Sequence, residues 1–413
     1  MYGPSIRRSE PVRVPESLLG GVEDDSYEYV ILGAGCAGLS LCYYLLESEV
    51  EAPILILDRK TRFDDDRTWC FWDVEDTLFS HLEIRNWNSW SVHDGARDIF
   101  HTSQAYSYRC ITAASFYEYA LKNIAKHTNV KLQLGADVEG YEERGAETRV
   151  STADRTYQAS YVFDGRGLSS GSKIFETARR EAVWIPQQFT GLRLRTARPV
   201  FDPSSCTLMD FSVSQERGLR FMYVLPFGER EALVENVYLS EPGIARETYR
   251  TEISEYLRDT YGLAPQDYIV DGEERGYIPM TDYQFPRRIG RAYSIGMLGG
   301  QTRPSTGYTF LRIQRYCRAL ARSLTERGAS PLRIESRRFD ILDQVFLRFM
   351  MRYPERCPSV YARMFGRVPP EPLVRFLTEK STLTDELSLV MALPKIPFLR
   401  VAGSAALEKF TGL

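Results

Sequence analysis

Apolar and polar positions divide the chain into a region of short apolar runs and a region of alternating runs. Near the N-terminus, residues 29–32 and 54–57 are wholly apolar, and residues 39–46 between them are compatible with a helix. Short apolar runs are typical of buried parallel strands, and a helix joins two such strands in a βαβ unit. The pattern therefore predicts a parallel sheet that contains these two strands.

Period-two alternation dominates the middle of the chain. After a helix predicted at 116–126, three alternating runs predict a small antiparallel ribbon at residues 130–138, 141–150 and 155–163. Longer runs predict the strands of a separate antiparallel sheet at residues 189–194, 207–213, 219–225 and 232–239. A helix at 246–261, with apolar positions at helical spacing, is expected to cover that sheet.

Glycines after the first predicted strand indicate a binding site for phosphates. Gly33, Gly35 and Gly38 form a G-x-G-x-x-G motif directly after residues 29–32. This spacing permits a sharp turn, close approach of a pyrophosphate and tight packing of the helix, whose N-terminus attracts anions. Asp58 ends the second strand twenty positions after Gly38. An acid at this place meets the adenosine ribose and favours FAD or NAD over NADP.

A second glycine-rich segment follows a strand predicted at 291–296 and precedes a helix predicted at 309–322. We interpret it as an anion-binding arrangement that closes over the other side of the same dinucleotide, with a simple helix cap as the alternative. The residues concerned are Gly299, Gly300, Pro304, Ser305, Thr306 and Gly307. A βαβ unit, a helix, a ribbon and a return to the sheet fit an FAD-binding domain better than a simple NAD domain.

The predicted fold class is α/β. It consists of a Rossmann-type, flavoprotein hydroxylase-like FAD-binding domain, an interleaved antiparallel-sheet substrate domain and C-terminal helices. We predict a flexible N-terminal arm at 1–25, the FAD-binding domain at 26–183 and 287–330, the substrate domain at 184–286 and a helical cap at 331–413. The cap mixes apolar with basic positions, so contact with a bilayer is the alternative to a plain cover for the core.

Glu235 is the most informative anomaly in the alternating runs. Within residues 232–239, alternation places Glu235 on the same face as Leu233, Val237 and Leu239. Burial among aliphatic side chains raises the pKa of a carboxyl, which can then donate a proton near neutral pH. The alternatives are a sheet that is wet on both faces, or a buried arginine that pairs with the carboxyl.

Three aromatic side chains, Trp69, Phe71 and Trp72, follow a charged loop. They either anchor this loop or form the wall of a pocket, in which their π faces can stabilise a cation. The residues alone leave both interpretations open.

Composition adds few constraints for a chain of 413 residues, 43% hydrophobic and 26% charged. A net charge of −3 gives no reason to expect nucleic-acid binding. The seven cysteines form no C-x-x-C pair, so neither a zinc site nor a disulfide framework is indicated, and a cytoplasmic setting is expected. No apolar segment approaches the roughly 20 residues that span a bilayer. A lipid substrate would therefore be met at a membrane surface.

Several stretches, spread over nearly the whole chain, resemble the FAD-dependent bacterial lycopene cyclases, which put β-rings on carotenoids. The similar stretches are residues 33–38, 65–69 with 71–72, 199–203 with 208–211, 233–238, 276–280, 299–300 with 304–308, and 393–398. The segments DDRTW at 65–69 and PSTGY at 304–308 are more specific than the glycine motif.

The resemblance implies a redox-neutral lycopene β-cyclase that requires reduced FAD, with NAD(P)H as the expected source of reducing equivalents. An acid protonates the terminal double bond of an acyclic polyene, the neighbouring double bond attacks the cation, and proton loss completes the ring. The acid of the family falls on Glu235. The motifs and the resemblance together predict no metal site and these cofactor-binding residues: Gly33, Gly35, Gly38, Asp58, Arg67, Gly299, Gly300, Pro304, Ser305, Thr306 and Gly307.

Other functions remain open at this stage. A cyclase of the same family could act on another isoprenoid or form another ring type. A flavin-dependent monooxygenase or halogenase would share the two-domain plan, although residues 183–186 match only the end of the halogenase W-x-W-x-I-P pattern. A carotenoid carrier without catalysis is a third alternative, and its function would survive Glu235→Gln.

Overall fold

The computed structural model describes residues 10–19, 25–169, 171–240, 243–326 and 334–411. The predicted N-terminal arm at 1–25 therefore lies partly outside the described residues. Within it, helix α1 (Glu16–Leu19) buries Leu18, and Val12 forms a β-bridge with Phe63. Because an apolar side chain anchors it in the core, the described part of this segment is not a free arm.

The strands occupy most of the first 300 residues. The first nine are β1 (Ser26–Leu32), β2 (Ile54–Asp58), β3 (Thr68–Trp72), β4 (Arg85–Trp87), β5 (Ser89–His93), β6 (Asp98–Thr102), β7 (Tyr108–Thr112), β8 (Val130–Leu134) and β9 (Val138–Arg144). The others are β10 (Glu147–Thr152), β11 (Thr156–Asp164), β12 (Trp184–Thr196), β13 (Ser205–Asp210), β14 (Leu219–Gly228), β15 (Glu231–Leu239), β16 (Tyr268–Thr281), β17 (Arg288–Ile289) and β18 (Ala292–Ser294).

The helices lie between the strands and then make up the C-terminal part. After α1 come α2 (Cys36–Glu47), α3 (Ala113–Ile124), α4 (Lys173–Glu181), α5 (Arg246–Tyr261), α6 (Phe310–Glu326), α7 (Arg337–Arg352), α8 (Cys357–Arg367), α9 (Pro370–Leu377), α10 (Leu383–Ala392) and α11 (Lys395–Thr411). None of the helices in the described part of the chain is long and apolar enough to cross a bilayer.

A mixed sheet forms the first layer, and β1 and β2 pair in parallel within it, as the apolar runs predicted. Its strand order is β17-β18-β11-β1-β2-β8, and β10 and β9 extend it from β11. One apolar cluster joins one face of this sheet to α2, α3 and α6, and another joins the opposite face to the β9–β10 ribbon. Both faces are covered, which explains why β1 and β2 are almost wholly apolar.

The prediction that residues 130–138 form the first strand of the antiparallel ribbon is wrong. Residues 130–134 form β8, which pairs in parallel with β2 at the edge of the main sheet. The ribbon consists of β9, β10 and β11 instead. The alternation was correct as a strand signal, but partner choice depends on long-range packing that alternation does not encode.

The second sheet carries the predicted substrate-domain strands in the order β16-β12-β15-β14-β13-β5-β6. Its pairs are antiparallel except β13 with β5. Strands β5 and β6 come from residues 89–102, so this sheet draws on more of the chain than residues 184–286. A third, smaller sheet has the order β3-β7-β4. Helix α5 covers one face of the second sheet, and helices α7 to α10 share an apolar cluster with its other face.

Candidate active site

The loop predicted to bind phosphates lies where β1 ends and α2 begins. Gly33 has a φ of +98°, and a Cβ on Gly38 would lie 1.8 Å from the Gly33 carbonyl oxygen. Both positions therefore require glycine. Gly35 precedes α2, whose N-terminus has no side-chain cap, and it lines a cavity of about 410 Å³, called the main cavity below. The backbone N–H groups of this first turn can therefore bind an anion.

Asp58 ends β2 beside this loop and is buried. Its Oδ2 accepts a hydrogen bond from the Ala34 backbone N–H at 2.5 Å, and its Oδ1 accepts one from the Lys60 backbone N–H at 2.7 Å. A carboxylate offers about four acceptor positions, so capacity remains for a ribose hydroxyl. Asp58 thus positions the loop and fits the predicted contact.

Arg67 also lines the cavity, but its recorded hydrogen bonds are to the protein itself. Arg67 Nη1 donates to the carbonyl oxygens of Asp66 at 2.9 Å and Arg275 at 2.7 Å. Because Arg275 belongs to β16, the second bond connects the loop before β3 to the antiparallel sheet. A guanidinium has five N–H donors, so others remain for a cofactor.

The second predicted segment, residues 299–307, is divided between two cavities. The main cavity is lined by Ser305, Thr306 and Gly307. A separate cavity of about 300 Å³ is lined by Gly299, Gly300 and Pro304. A short 3-10 turn, Gly296–Gly299, precedes Gly300, whose φ of +73° turns the chain between these groups. The structure therefore does not bring the whole segment to one side of the main cavity.

Two residues just before this segment line the main cavity and were missed by the sequence reasoning. Gly296 and Met297 follow β18, from which Ile295 separates them. Gly296 lies so close to α2 that a Cβ on it would be 3.1 Å from the Ala37 Cβ. The available signal was a glycine, Gly296, at the last position of the strand predicted at 291–296.

The main cavity has a volume of about 410 Å³ and extends from the glycine loop to the C-terminal helices. Its surface is mostly apolar and aromatic along the antiparallel sheet, with Phe189, Leu208, Phe221, Tyr223, Leu233, Val237, Ile278 and Met280. Helices α7 to α9 close it with Phe346, Tyr361, Met364, Phe365, Phe376 and Leu377. This composition suits an elongated apolar molecule.

Glu235 lies on the cavity side of β15, on the face that alternation predicted. Leu233, Val237 and Leu239 line the same cavity, and Glu235 is 7% exposed. Asn236 points to the other face, where its Nδ2 donates to the Oε2 atom of Glu252 in α5 at 2.7 Å. Both faces of this strand are buried, which excludes the alternative of a sheet exposed to water on both faces.

The electrostatic surroundings of Glu235 favour its protonated form. Burial raises the pKa of this carboxyl well above its ordinary value, and the nearby Glu274 carboxyl raises it further by repulsion and hydrogen bonding. Arg193 acts in the opposite direction but does not offset these effects. Its guanidinium pairs with Asp65 and with Glu274, so the buried arginine considered as an alternative engages other acids.

The aromatic residues after the charged loop divide between the two interpretations. Trp69 lines the main cavity and contacts Phe116 edge-to-face at a centroid distance of 5.2 Å. Trp72 is fully buried behind it, against Trp90 at 4.6 Å. Trp69 therefore supplies cavity wall, whereas Trp72 anchors the core. No group of three or more acidic, histidine or cysteine side chains suited to a metal occurs among the described residues.

Comparison with known families agrees with this geometry. A family model described as "Lycopene cyclase protein" matches residues 28–403. The chain belongs to the lycopene cyclase family. A lycopene beta-cyclase from Pantoea ananas is 26% identical over 392 residues, which cover 90% of this chain and 96% of that relative. A lycopene beta-cyclase from Paracoccus sp. (strain N81106 / MBIC 01143) is 24% identical, with coverage of 90% and 95%.

Solved structures share the fold of this lycopene cyclase family member at low sequence identity. A geranylgeranyl bacteriochlorophyll reductase-like protein from Thermoplasma acidophilum has a TM-score of 0.60 at 11% identity, covering 91% of this chain and 98% of that one. A flavoprotein/dehydrogenase from Cytophaga hutchinsonii has a TM-score of 0.56 at 14% identity, covering 88% and 98%. A halogenase in complex with phloroglucinol and FAD has a TM-score of 0.53 at 13% identity, covering 84% and 78%. The predicted flavoprotein fold class is confirmed.

Proposed function

We propose that this protein is a lycopene β-cyclase, which converts the acyclic ψ-ends of lycopene to β-rings with a reduced flavin bound. The observation that carries the proposal is Glu235, a buried carboxyl with a raised pKa on the wall of an apolar cavity. Acid-initiated cyclisation needs a proton donor in a site from which water is excluded. Relatives that carry the name lycopene beta-cyclase match about nine-tenths of the chain.

The glycine loop after β1 and the acid that ends β2 are suited to bind FAD. Gly33, Gly35 and the first turn of α2 would hold the pyrophosphate, and Asp58 would accept a hydrogen bond from the ribose. The cavity that Gly35 lines also reaches Glu235. When bound, the reduced flavin supplies negative charge that stabilises a carbocation, more strongly in an apolar cavity than in water. We expect NAD(P)H to provide the reducing equivalents that keep it reduced.

Glu235 starts the reaction by donating its proton to the terminal double bond. The π electrons of that bond form the new C–H bond and leave a tertiary cation. The neighbouring double bond attacks this cation and closes the ring, which moves the positive charge onto a ring carbon. One proton is then lost from the ring, and its C–H electrons form the ring double bond. One proton enters and one leaves, so the product has the mass of the substrate.

The cavity walls serve the same chemistry. Water would quench the cation, and the apolar side chains from the sheet and from α7 to α9 exclude it. Trp69, Tyr223 and Tyr308 line the cavity with aromatic rings, which stabilise a nearby cation by about 0.5–2 kcal/mol each. The walls therefore combine exclusion of water with local stabilisation.

Access for so apolar a substrate suggests contact with a membrane surface. On α10, Leu383, Leu387 and Met391 follow one helix face and are 72%, 62% and 55% exposed. On α11, Ile396 and Leu399 are 66% and 69% exposed. Apolar side chains on neighbouring helices that face water are typical of a docking surface for lipid or protein. We propose that this face meets the bilayer from which lycopene enters.

A flavin-dependent monooxygenase or halogenase is the second candidate, because a halogenase shares the fold. It would consume oxygen and form products with a new oxygen or halogen. A cyclase acting on another isoprenoid, or forming another ring type, would instead give products of unchanged mass from a different substrate or with a different double-bond position.

The deciding experiment uses purified protein, lycopene in liposomes and reduced FAD without oxygen, with products separated by mass and absorption. β-ring products of unchanged mass are expected from the native protein and absent from Glu235→Gln. Glu231→Gln, in the same strand, is the control that should retain activity. Absence of conversion by the native protein, together with oxygen-dependent consumption of NAD(P)H with another substrate, would reject the cyclase.

A further inference from the structure

Three neighbouring strands place two glutamates on either side of one glycine. Gly191 of β12 is paired with Glu235 of β15 on one side and with Glu274 of β16 on the other. Side chains at directly paired positions share one face of a sheet, so both carboxyl groups project toward the space above Gly191. A Cβ on Gly191 would lie 2.8 Å from the Glu235 Cγ and 3.0 Å from its Oε1. The missing side chain therefore provides the room in which the two carboxyl groups meet.

Glu274 is fixed by the protein rather than by the cavity. It is 5% exposed, and Glu235 but not Glu274 is among the residues that line the cavity. Its Oε2 accepts a hydrogen bond from Thr68 Oγ1 at 2.6 Å and one from Arg193 Nη2 at 3.2 Å. The other guanidinium nitrogen of Arg193 pairs with Asp65. Glu274 therefore has a defined position behind Glu235.

A proton on one carboxyl halves the uncompensated charge of this cluster. Arg193 supplies one positive charge to Asp65 and Glu274, and Glu235 is a third carboxyl in the same buried group. Burial lowers the pKa of the guanidinium, but the two ion pairs outweigh this and raise it. With all three acids ionised, the buried cluster would carry two uncompensated negative charges, which is unfavourable in a low dielectric.

Cys70 and Tyr223 also lie beside Glu235, and neither carries a positive charge. Cys70, on β3, acts to raise the pKa of the Glu235 carboxyl. Tyr223 is paired with Glu235 on β14, and its hydroxyl donates to the hydroxyl of Tyr108 at 3.0 Å. The positive charge of Arg193 lowers the pKa of the Glu235 carboxyl.

We propose that Glu274 is a positioning residue that shares a single proton with Glu235 across the gap left by Gly191. This inference rests on the proposed cyclase function and adds a partner to its acid. When the O–H bond of Glu235 breaks and a C–H bond forms on the substrate, two carboxylates are left side by side. Repulsion between these carboxylates favours uptake of one proton, so the pair is reprotonated before the next turnover.

The test is the pH profile of kcat for the native protein and for Glu274→Gln, which keeps the shape and removes the charge. Native activity should fall at high pH as the shared proton is lost. In Glu274→Gln the midpoint of that fall should move to lower pH by about 1 to 3 units, with kcat retained on the acid side. Glu273→Gln is the matched control, because Glu273 is paired with Leu192 on the opposite face and bonds Arg246 and Arg250.

An infrared titration of the protonated-carboxyl band gives a second readout that needs no substrate. The band should be present in native protein near neutral pH, absent in Glu235→Gln, and lost at lower pH in Glu274→Gln. An unchanged midpoint in Glu274→Gln, or an equal loss of kcat at every pH, would overturn the inference. If the native protein does not cyclise lycopene, the proposed function fails, and the infrared titration alone decides whether the proton is shared. If Glu274→Gln does not fold, the inference is tested with the spectra of native protein and Glu235→Gln. Absence of the band from native protein near neutral pH would then overturn the inference.

Discussion

Gly191→Ala tests the central geometric feature of the site with a single methyl group. The added Cβ would lie 2.8 Å from Glu235 Cγ and 3.0 Å from Leu233 Cδ1. Carbon atoms in contact normally stay about 3.5–4.0 Å apart, so the Glu235 side chain has to move by roughly 0.7 Å or more. Its movement is directed away from Gly191, and therefore away from the space in which it meets Glu274.

The expected effect is large on catalysis and small on stability. A displacement of about 1 Å in a reacting group costs on the order of 10²-fold in rate, which corresponds to about 2.7 kcal/mol. Overpacking costs about 1–3 kcal/mol of unfolding free energy. Replacing glycine in an extended strand returns about 0.4–1 kcal/mol by restricting the unfolded chain. The net loss of stability should therefore lie between about 0 and 2.6 kcal/mol.

The assay compares kcat for lycopene cyclisation and the melting temperature of Gly191→Ala with those of the native protein. Gly228→Ala, at the end of β14 in the same sheet, is the control, because a Cβ there meets nothing within 4 Å. Native kcat in Gly191→Ala would refute the reasoning, since it would mean that Glu235 does not need its position above the glycine.

Three further predictions concern the rest of the molecule. Gly38→Ala should abolish FAD binding in a fluorescence titration, because its Cβ would lie 1.8 Å from the Gly33 carbonyl oxygen; retained affinity would contradict the proposed cradle. Burial raises the pKa of Glu379, but the bonded Arg312 guanidinium lowers it to about 2. The Glu379 carboxylate therefore stabilises the folded state fully above the ordinary pKa of 4.5, and this contribution is lost as the pH falls toward about 2. Glu379→Gln should therefore show a smaller drop in melting temperature on acidification than the native protein, and an equal drop would reject the assignment. Leu387→Glu should weaken sedimentation with liposomes while cyclisation of detergent-dispersed lycopene persists, and unchanged sedimentation would reject the α10 surface.

Local patterns account for most of what could be predicted. The first βαβ unit depends on neighbouring residues, because strand, glycine turn and helix follow one another within a few positions. The face of Glu235 follows from period-two alternation within one strand. The resemblance supplied the family, which the comparison over residues 28–403 confirmed. The roles of Glu235 and of the cofactor-binding residues stay predictions that the experiments above address.

Contacts between distant segments were decided only by the tertiary structure. The strand at 130–134 joined the mixed sheet, and the segment 299–307 was divided between two cavities, because both outcomes depend on what packs alongside. The sequence by itself determined that Glu235 shares a face of β15 with aliphatic side chains, and that Gly33 and Gly38 permit a tight turn between β1 and α2. The meeting of Glu235 with Glu274 above Gly191 required the register of three strands, and strand register is a property of the folded sheet rather than of any one segment.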